Sequence, residues 1–472
     1  MDNSKPHKLP YDEKDIVSIF NYSKSLINKS LRDFAPDALE QGGKGGLGQL
    51  VEKLYFKYDV NSRQEADFAF VNAELKCTPL KESQKHELLI KERLVCGLIN
   101  YQDDWDKTFE ESHFYQKCLI MLILFYLHNP SVSKLDLRFI FAVLWRIPDK
   151  DMLIIKHDYE VIVAKIRAGQ AHMLSEGDTM YLGACRKGQK GDSLMPQYGS
   201  AQGAPRRAWG LKTAYMRTVL DEVKKNQSNG AYCNFELEED SKTEIFSTQE
   251  LETQSVDDIV AKRFSPYVGK TYSEIIKMLG LAESKSKSKY FILANAIAGC
   301  GKVSNVNRSE EFLKSGLTLK TIRLTKNGRL KESMSFENID YQEIYSCDEW
   351  TDSRLYELFS NRFLFVVFRE TDEQAANPNG SEYRLENVAF WTMSQADLSI
   401  AEDYWKNIKN CVKANQISTK YFWRQNDNRC FHVRPKALNS SDKAVNPNGG
   451  EADKFCYWFN AKYVKNIIEN EI

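Results

Sequence analysis

The ten cysteines of this 472-residue sequence include no CxxC pair, and the seven histidines show no metal-ligand pattern. These absences argue against a disulfide scaffold and a structural zinc site, and favour free, mostly buried thiols. Long hydrophobic runs are also lacking. The longest, around residues 119–127, is too short to span a bilayer and predicts a buried strand. Since the N-terminus has no apolar signal segment, we expect a cytoplasmic protein with no membrane partner.

The formal net charge is zero, but the charges are unevenly distributed. Residues 236–258 contain nine acidic residues and one lysine, leaving 64 basic against 56 acidic residues elsewhere. This mild basic excess permits nucleic-acid binding without requiring it. The acidic stretch is rich in Ser, Thr and Glu and predicts an exposed linker. We therefore expect two domains, residues 1–235 and 259–472, each large enough for its own core.

The two halves repeat the same series of segments, which indicates an internal duplication. Each half predicts a strand with a lysine, a buried apolar strand, a third strand, a helix, and an aromatic-Lys-Tyr segment leading into a last helix. We therefore predict two tandem α/β domains, each a mixed sheet flanked by helices. In order, the first half has AELKCTPL, KCLIMLILFYL, FAVLWRIP, HDYEVIVAKIRAG and WGLKTAYMRTVL, and the second has LTLKTIRL, FLFVVF, VAFWTM, AEDYWKNIKNCV and WFNAKYVKNII.

The pattern that carries chemistry is Asp67 followed, after six residues, by Glu74-Leu75-Lys76. The surrounding EADFAFVNAELKCTPL alternates polar and apolar residues and predicts two short strands joined by a turn at Asn72. Glu74 and Lys76 then share one face of a strand while Leu75 enters the core. If Asp67 closes onto them, two carboxylates and the Leu75 carbonyl form an oxygen-rich site suited to Mg²⁺. Lys76 can then orient or help deprotonate an attacking water.

By itself this motif is weak, because the same spacing is common and Glu-x-Lys on a strand is usually a surface ion pair. The preceding GGKGGLGQLVEKLYF adds a glycine loop and an amphipathic helix, with Glu52 at the border of its apolar stripe. The loop lacks the GK[ST] ending of a phosphate loop. It is either a plain turn that caps the helix or, through Lys44, a contact to a DNA backbone.

These segments together resemble the MutH-like endonucleases, which comprise the mismatch-repair nuclease MutH and related type II restriction enzymes that cut GATC, including a long two-domain staphylococcal type. GKGGLGQLVE is similar to the family's glycine loop and first helix, and ADF with AELKCTPL to its active-site hairpin. KERLVCGLINY and ESHFYQKCLIML are similar to the segments that follow, the latter read as the strand that brings a further active-site lysine. The resemblance covers nearly the whole chain, most closely residues 42–125.

The resemblance implies that the first half is a Mg²⁺-dependent nuclease acting on double-stranded DNA. Asp67 and Glu74, with the Leu75 carbonyl, would bind the metal, and Lys76 would act at the water. Glu52 would support the site, and Lys117 would contact the scissile region. The family's recognition elements correspond here to a loop with Arg186 and Lys187 and to a segment with Arg206, Arg207 and Lys212. These basic residues either read guanine in the major groove or only touch phosphates.

The second half has lost the acidic residues of the motif. Thr318 stands in place of Glu74, with Lys320 in place of Lys76, and no aspartate precedes them within ten residues. HVRPKALNSSD, with Arg434 and Lys436, nevertheless resembles the family's recognition loop, and Lys462 lies in the last aromatic-Lys-Tyr segment. We predict that this domain binds DNA without cutting it and serves as an effector domain or an extra anchor.

Three functions remain open on the sequence. The first is a restriction endonuclease cutting both strands at GATC, which needs two chains, as in a DNA-induced dimer, or two successive reactions. The second is a strand-nicking repair enzyme, which ranks lower because that enzyme is a single small domain in the family. The third is a non-catalytic DNA-binding regulator, which leaves unexplained why only the first half keeps its charged residues.

Overall fold

A computed structural model describes residues 9–39, 46–58, 65–83, 86–188, 193–235, 244–299, 301, 303–331, 333–374 and 381–472. The chain divides into two compact units. The first domain comprises Met1–Leu174 and Tyr181–Asp240, and the second comprises Ser175–Met180 and Ser241–Ile472. Among the described residues, no helix is long and apolar enough to cross a membrane.

The first domain has a mixed five-stranded sheet in the order β10-β5-β4-β1-β2 and a separate three-stranded sheet, β3-β9-β6. Its elements in chain order are α1 (Ile16–Ser23), α2 (Leu47–Leu50), β1 (Ala73–Glu82), β2 (Leu88–Ile90), β3 (Leu94–Leu98), α3 (His113–Cys118), β4 (Ile120–Leu127), β5 (Phe139–Arg146), α4 (Asp149–Arg167), β6 (Leu182–Arg186), β7 (Met195–Gln197), β8 (Ser200–Ala204), β9 (Arg207–Leu211), α5 (Thr213–Asn226) and β10 (Ala231–Cys233).

The apolar run of the sequence forms β4, which lies between β1 and β5 in the middle of the five-stranded sheet. Side chains 121–125 are fully buried on both faces, which explains why this strand is continuously apolar rather than alternating. β1 runs parallel to β4, with Glu74 opposite Met121 and Lys76 opposite Ile123. The sheet thus fixes the motif strand against the most buried strand of the domain.

The second domain has a three-stranded sheet, β11-β13-β14, and a second one, β12-β18-β15. Its elements are α6 (Thr248–Thr253), α7 (Val256–Phe264), α8 (Tyr272–Met278), α9 (Lys289–Ala298), α10 (Glu310–Ser315), β11 (Thr318–Leu324), β12 (Ser335–Asn338), α11 (Tyr341–Ser346), α12 (Arg354–Ser360), β13 (Phe363–Gln374), β14 (Ser381–Trp391), α13 (Gln395–Lys413), β15 (Phe431–Pro435), β16 (Lys443–Val445), β17 (Glu451–Asp453), β18 (Phe455–Phe459) and α14 (Ala461–Asn470).

The predicted duplication is confirmed by the topology. In both domains a motif strand runs parallel to a buried strand, which pairs antiparallel with the next: β1-β4-β5 in the first and β11-β13-β14 in the second. A 19-residue helix follows in each, α4 or α13, and a second sheet, a hairpin and a last helix complete both. The prediction of two α/β domains with mixed sheets and flanking helices is therefore confirmed.

The long helices form because their apolar residues recur every three or four positions. In α13, Ala401, Tyr404 and Ile408 are buried on one side, and the hydroxyl of Ser394 accepts a hydrogen bond from the Asp397 amide at the N-terminus. This cap satisfies one of the amide groups that a helix start leaves without a partner.

The predicted acidic linker over residues 236–258 is wrong for the part that the structure describes. Residues 244–258 carry α6 and the start of α7, and Ile245, Phe246 and Leu251 are fully buried in the second domain. Composition misled because the acidic residues serve as caps and partners: Glu250 completes a capping box with Ser247 and forms an ion pair with Arg263.

Candidate active site

A tight turn places Asp67 beside the motif strand. Residues Ala69–Val71 form a single turn of 3-10 helix, and Asn72 adopts a left-handed conformation with a φ of 48°. The Phe68 amide donates to the Ala73 carbonyl at 2.9 Å, closing the turn. The turn at Asn72 was predicted, but the strand before it was not realised: Phe68 and Ala73 make only an isolated bridge.

The two carboxylates of the motif are held together through the backbone. Asp67 Oδ2 accepts a hydrogen bond from the Leu75 amide at 3.0 Å, and the Asp67 amide donates to Glu74 Oε2 at 3.3 Å. Burial and the nearby charge of Glu74 raise the pKa of Asp67, although the bond from Leu75 opposes this. Two acids are thus concentrated at one buried point, where both can be ionised only at a cost in free energy.

Two lysines approach the same glutamate. Lys76 Nζ lies 2.9 Å from Glu74 Oε1, and Lys117 Nζ lies 3.9 Å from Glu74 Oε2. Burial by itself would lower the pKa of Lys76, but its neighbours Cys118 and Glu74 outweigh burial and raise it, so the side chain carries a positive charge. Leu75 enters the core as predicted, with 5% of its surface exposed.

Lys117 does not lie on a strand as the sequence predicted. It belongs to the last turn of α3, which begins after Ser112, whose hydroxyl accepts a hydrogen bond from the Tyr115 amide at 3.1 Å. The apolar run that predicted a strand begins only after Cys118, so the strand starts later than expected. The helix still directs Lys117 toward Glu74.

Glu52 approaches the site from a helix, as predicted. α2 continues into a turn of π-helix, Val51–Phe56, and Glu52 occupies its first turn. Burial, followed by the charges of Asp67 and Glu74, raises the pKa of Glu52 to about 7. The three predicted acids are therefore close enough to repel one another, and the two lysines only partly offset this repulsion.

The donor set fits a hard divalent cation. Among the described residues, no group of three or more His, Cys, Asp or Glu is arranged to hold a metal ion by itself. Mg²⁺ does not require such a group, because it is usually bound through one or two carboxylates together with water and substrate phosphates. Asp67 and Glu74 supply two carboxylates. Burial, followed by the charge of Glu74, raises the pKa of Asp67, and a bound cation would relieve the repulsion between the two.

The basic residues predicted to contact DNA divide into exposed and buried sets. Arg186 and Arg206 are exposed, and Lys187 is partly exposed. Arg207, by contrast, is 3% exposed, and its guanidinium donates to the carbonyls of Ala184 and Leu174.

Lys212 is 4% exposed and immediately precedes α5. We therefore correct the predictions for Arg207 and Lys212, because buried side chains do not present their charge to a DNA backbone. Lys44 lies outside the described residues.

In the second domain, Thr318 and Lys320 occupy the strand positions of Glu74 and Lys76, and Lys320 finds a different partner. Its Nζ donates to the Ser335 carbonyl at 3.2 Å and lies 4.9 Å from the centre of the Phe336 ring. Sequence reasoning missed Ser335 and Phe336. No spacing pattern could reveal them, because the four-residue strand β12 is fixed by pairing with the distant β18.

Three predicted basic residues of the second domain are exposed: Arg434, Lys436 and Lys462. The Arg434 guanidinium lies 5.3 Å from the centre of the Trp458 ring, and Lys436 Nζ lies 5.6 Å from it. Both cations therefore lie against the same ring, and the domain presents an exposed basic patch there.

Comparisons with known proteins agree with this arrangement. The family model described as DNA mismatch repair enzyme MutH matches residues 56–158 and 301–403, one stretch in each domain. The type II restriction enzyme Sau3AI of Staphylococcus aureus is 28% identical over 470 residues, covering 94% of this chain and 92% of that protein.

Proposed function

Since the MutH family model matches one stretch in each domain and a type II restriction enzyme is similar over 94% of this chain, we propose that the chain is a MutH-like type II restriction endonuclease, a cytoplasmic enzyme that hydrolyses both strands of double-stranded DNA at GATC with Mg²⁺. The observation that carries the proposal is the cluster of Asp67, Glu74 and Lys76 in the first domain and the loss of its acids in the second. A protein that only binds DNA has no need of a repulsive buried acid pair in one domain alone.

We assign Asp67, Glu74 and the Leu75 carbonyl to holding Mg²⁺. When bound, the ion supplies stabilisation of the negative charge that develops on the phosphate and activation of the attacking water. The 3.0 Å hydrogen bond from the Leu75 amide to Asp67 fixes the direction of that carboxylate. The Leu75 amide therefore helps to position a metal ligand.

The two lysines act through their charge. The ion pair with Glu74 holds the Lys76 ammonium at the site, where it can orient the attacking water or donate to a phosphate oxygen. Lys117 approaches the same glutamate from α3, and we assign it to contact with the scissile region. Glu52 completes the cluster and supports the metal ligands from the π-helical turn.

Recognition of the site is assigned to exposed basic residues. Arg186 is the last residue of β6, an edge strand of the first domain's second sheet, and Lys187 comes directly after it. Arg206 immediately precedes β9 of the same sheet. Arginine can donate two hydrogen bonds to guanine in the major groove, and both GATC strands contain a guanine. Lys44 would contact the backbone.

One catalytic cluster per chain cuts one strand at a time, so double-strand cleavage requires two chains meeting on DNA or two successive reactions. We assign the second domain, with Arg434, Lys436 and Lys462, to binding a second copy of the site. Binding there would favour the active assembly, which makes the domain an effector domain.

Digestion of a sequenced plasmid with and without Mg²⁺ tests the activity, the metal and the specificity together. We expect linear fragments ending at GATC only when Mg²⁺ is present. Open circles that are never linearised would instead support a nicking enzyme, and undigested plasmid would contradict the proposed activity.

A further inference from the structure

A basic pocket lies beside the motif strand of the second domain. Its volume is about 390 Å³. The described residues that line it include three basic side chains, Lys287, Lys320 and Arg323, and no Asp or Glu. Ser288, Ser333, Ser335 and Thr321 also line it, and the Ser335 hydroxyl accepts a hydrogen bond from Lys436 Nζ at 3.1 Å. Positive charge combined with hydroxyl donors is the chemistry that recognises an oxyanion such as phosphate.

Lys320, the counterpart of the catalytic-domain lysine Lys76, forms no ion pair with an acid among the described residues. Its described contacts are the Ser335 carbonyl and the Phe336 ring. Glu337, whose charge opposes the lowering of the Lys320 pKa, forms an ion pair with Arg354, with two oxygen–nitrogen distances of 2.7 and 2.9 Å. Burial, followed by the charge of Lys436, lowers the pKa of Lys320, as expected for a cation that lacks an anion.

We propose that this pocket binds a backbone phosphate of DNA directly through Lys320, without a metal ion. The inference rests on the proposed function of the second domain as a DNA-binding domain. In the first domain, the ammonium of Lys76 is paired with Glu74, so a phosphate bound there would share the site with a metal cation. In the second, threonine replaces the glutamate and leaves the lysine to the phosphate itself. Loss of the acid therefore converts a cutting site into a holding site.

Two metal-free measurements on the full chain test this proposal. The first is the salt dependence of binding to a short GATC duplex in excess EDTA, read by fluorescence anisotropy. Removing one phosphate contact reduces the slope of log affinity against log salt concentration by about 0.9. The second is the rise in Tm caused by inorganic phosphate over sodium chloride at equal ionic strength. We expect Lys320→Gln to lower both quantities.

Two further variants sharpen the test. Thr318→Glu places a carboxylate on the face of β11 that carries Lys320, and we expect it to weaken phosphate binding as Lys320→Gln does. Lys277→Gln removes one exposed charge from α8 and serves as the matched control, with both quantities unchanged.

An unchanged slope and an unchanged phosphate effect in Lys320→Gln would overturn the proposal, and so would an equal loss in Lys277→Gln. Loss of the phosphate effect with an unchanged slope would assign the pocket to a free phosphate compound and overturn the DNA assignment. Because neither measurement requires cleavage, an inactive enzyme leaves this test intact.

Discussion

The two domains share one topology and differ in the acids that stand on and beside one strand. In the first, Glu74 on β1 binds Lys76 at 2.9 Å and stands beside Asp67. In the second, Thr318 replaces the glutamate, and Lys320 turns to the Ser335 carbonyl. Leu75 and Leu319 are buried in both. The two strands therefore share the face that carries the leucine and differ on the face that carries the lysine.

This difference indicates that the clustered acids lower the stability of the first domain. Burial, followed by the charges of Asp67 and Glu74, raises the pKa of Glu52 to about 7, and the second domain keeps the same strand with threonine in place of Glu74. Charges retained against repulsion in one copy only are best explained by catalysis.

Replacing Asp67 should have the largest effect on the activity that distinguishes the first domain from the second. We expect Asp67→Ala to lower the rate of plasmid cleavage by at least about 10²-fold, because a positioned metal ligand is lost. DNA affinity measured in EDTA should stay within roughly twofold, since the exposed basic residues are unchanged. Full cleavage by this variant would place the active site elsewhere.

The second domain can be tested through the number of sites. We expect a plasmid with two GATC sites to be cut about 5- to 150-fold faster than a plasmid with one, the usual range of coupling between two sites. Arg434→Ala should reduce this advantage, whereas Lys277→Gln should preserve it. Equal rates for both plasmids in the unaltered protein would refute the effector assignment.

Variants of the buried Arg207 and the exposed Arg206 distinguish an effect on folding stability from an effect on DNA binding. Arg207→Lys should lower the free energy of unfolding by about 1.5–3 kcal/mol, because the planar fork that donates to two carbonyls is lost. Arg206→Ala removes the exposed neighbour and should weaken DNA binding with little change in stability. Denaturant unfolding and anisotropy titrations measure the two effects, and the reverse outcome would return Arg207 to the DNA contacts.

The smallest effect that we expect is the loss of stability caused by the clustered acids. The pKa of Glu52 is higher in the folded protein than in the unfolded chain, so the folded state binds its proton more tightly. Metal-free protein therefore loses stability from this group as pH rises from about 4.5 to about 7. Glu52→Gln should reduce the fall in Tm between pH 5 and pH 8 in EDTA while slowing cleavage. The exposed Glu65→Gln is the matched control. If Tm fell as much between pH 5 and pH 8 in Glu52→Gln as in the unaltered protein, the electrostatic account would be contradicted.

Much of this comparison could be predicted from the sequence. Alternation around Leu75 predicted the face shared by Glu74 and Lys76, and the repeated order of segments predicted the duplicated topology. Both predictions rest on local periodicity, which a single sequence carries directly. The place of Glu52 on a helix followed from the same kind of pattern.

The errors have physical causes that local patterns do not contain. Acidic composition predicted a linker over residues 236–258, although burial of Ile245 and Phe246 makes part of it core. Lys117 was assigned to a strand because the boundary between α3 and β4 depends on a cap at Ser112. Arg207 was predicted at the surface because its carbonyl partners are distant along the chain.

The central claim is that one domain cuts and the other only binds, and a matched pair of variants tests it most directly. Glu74→Ala and Thr318→Ala alter equivalent positions of β1 and β11 and can be compared by Mg²⁺-dependent digestion of the same two-site plasmid. We expect Glu74→Ala to leave the plasmid uncut and Thr318→Ala to cut it at the unaltered rate. Cleavage by Glu74→Ala, or its loss in Thr318→Ala, would contradict the account.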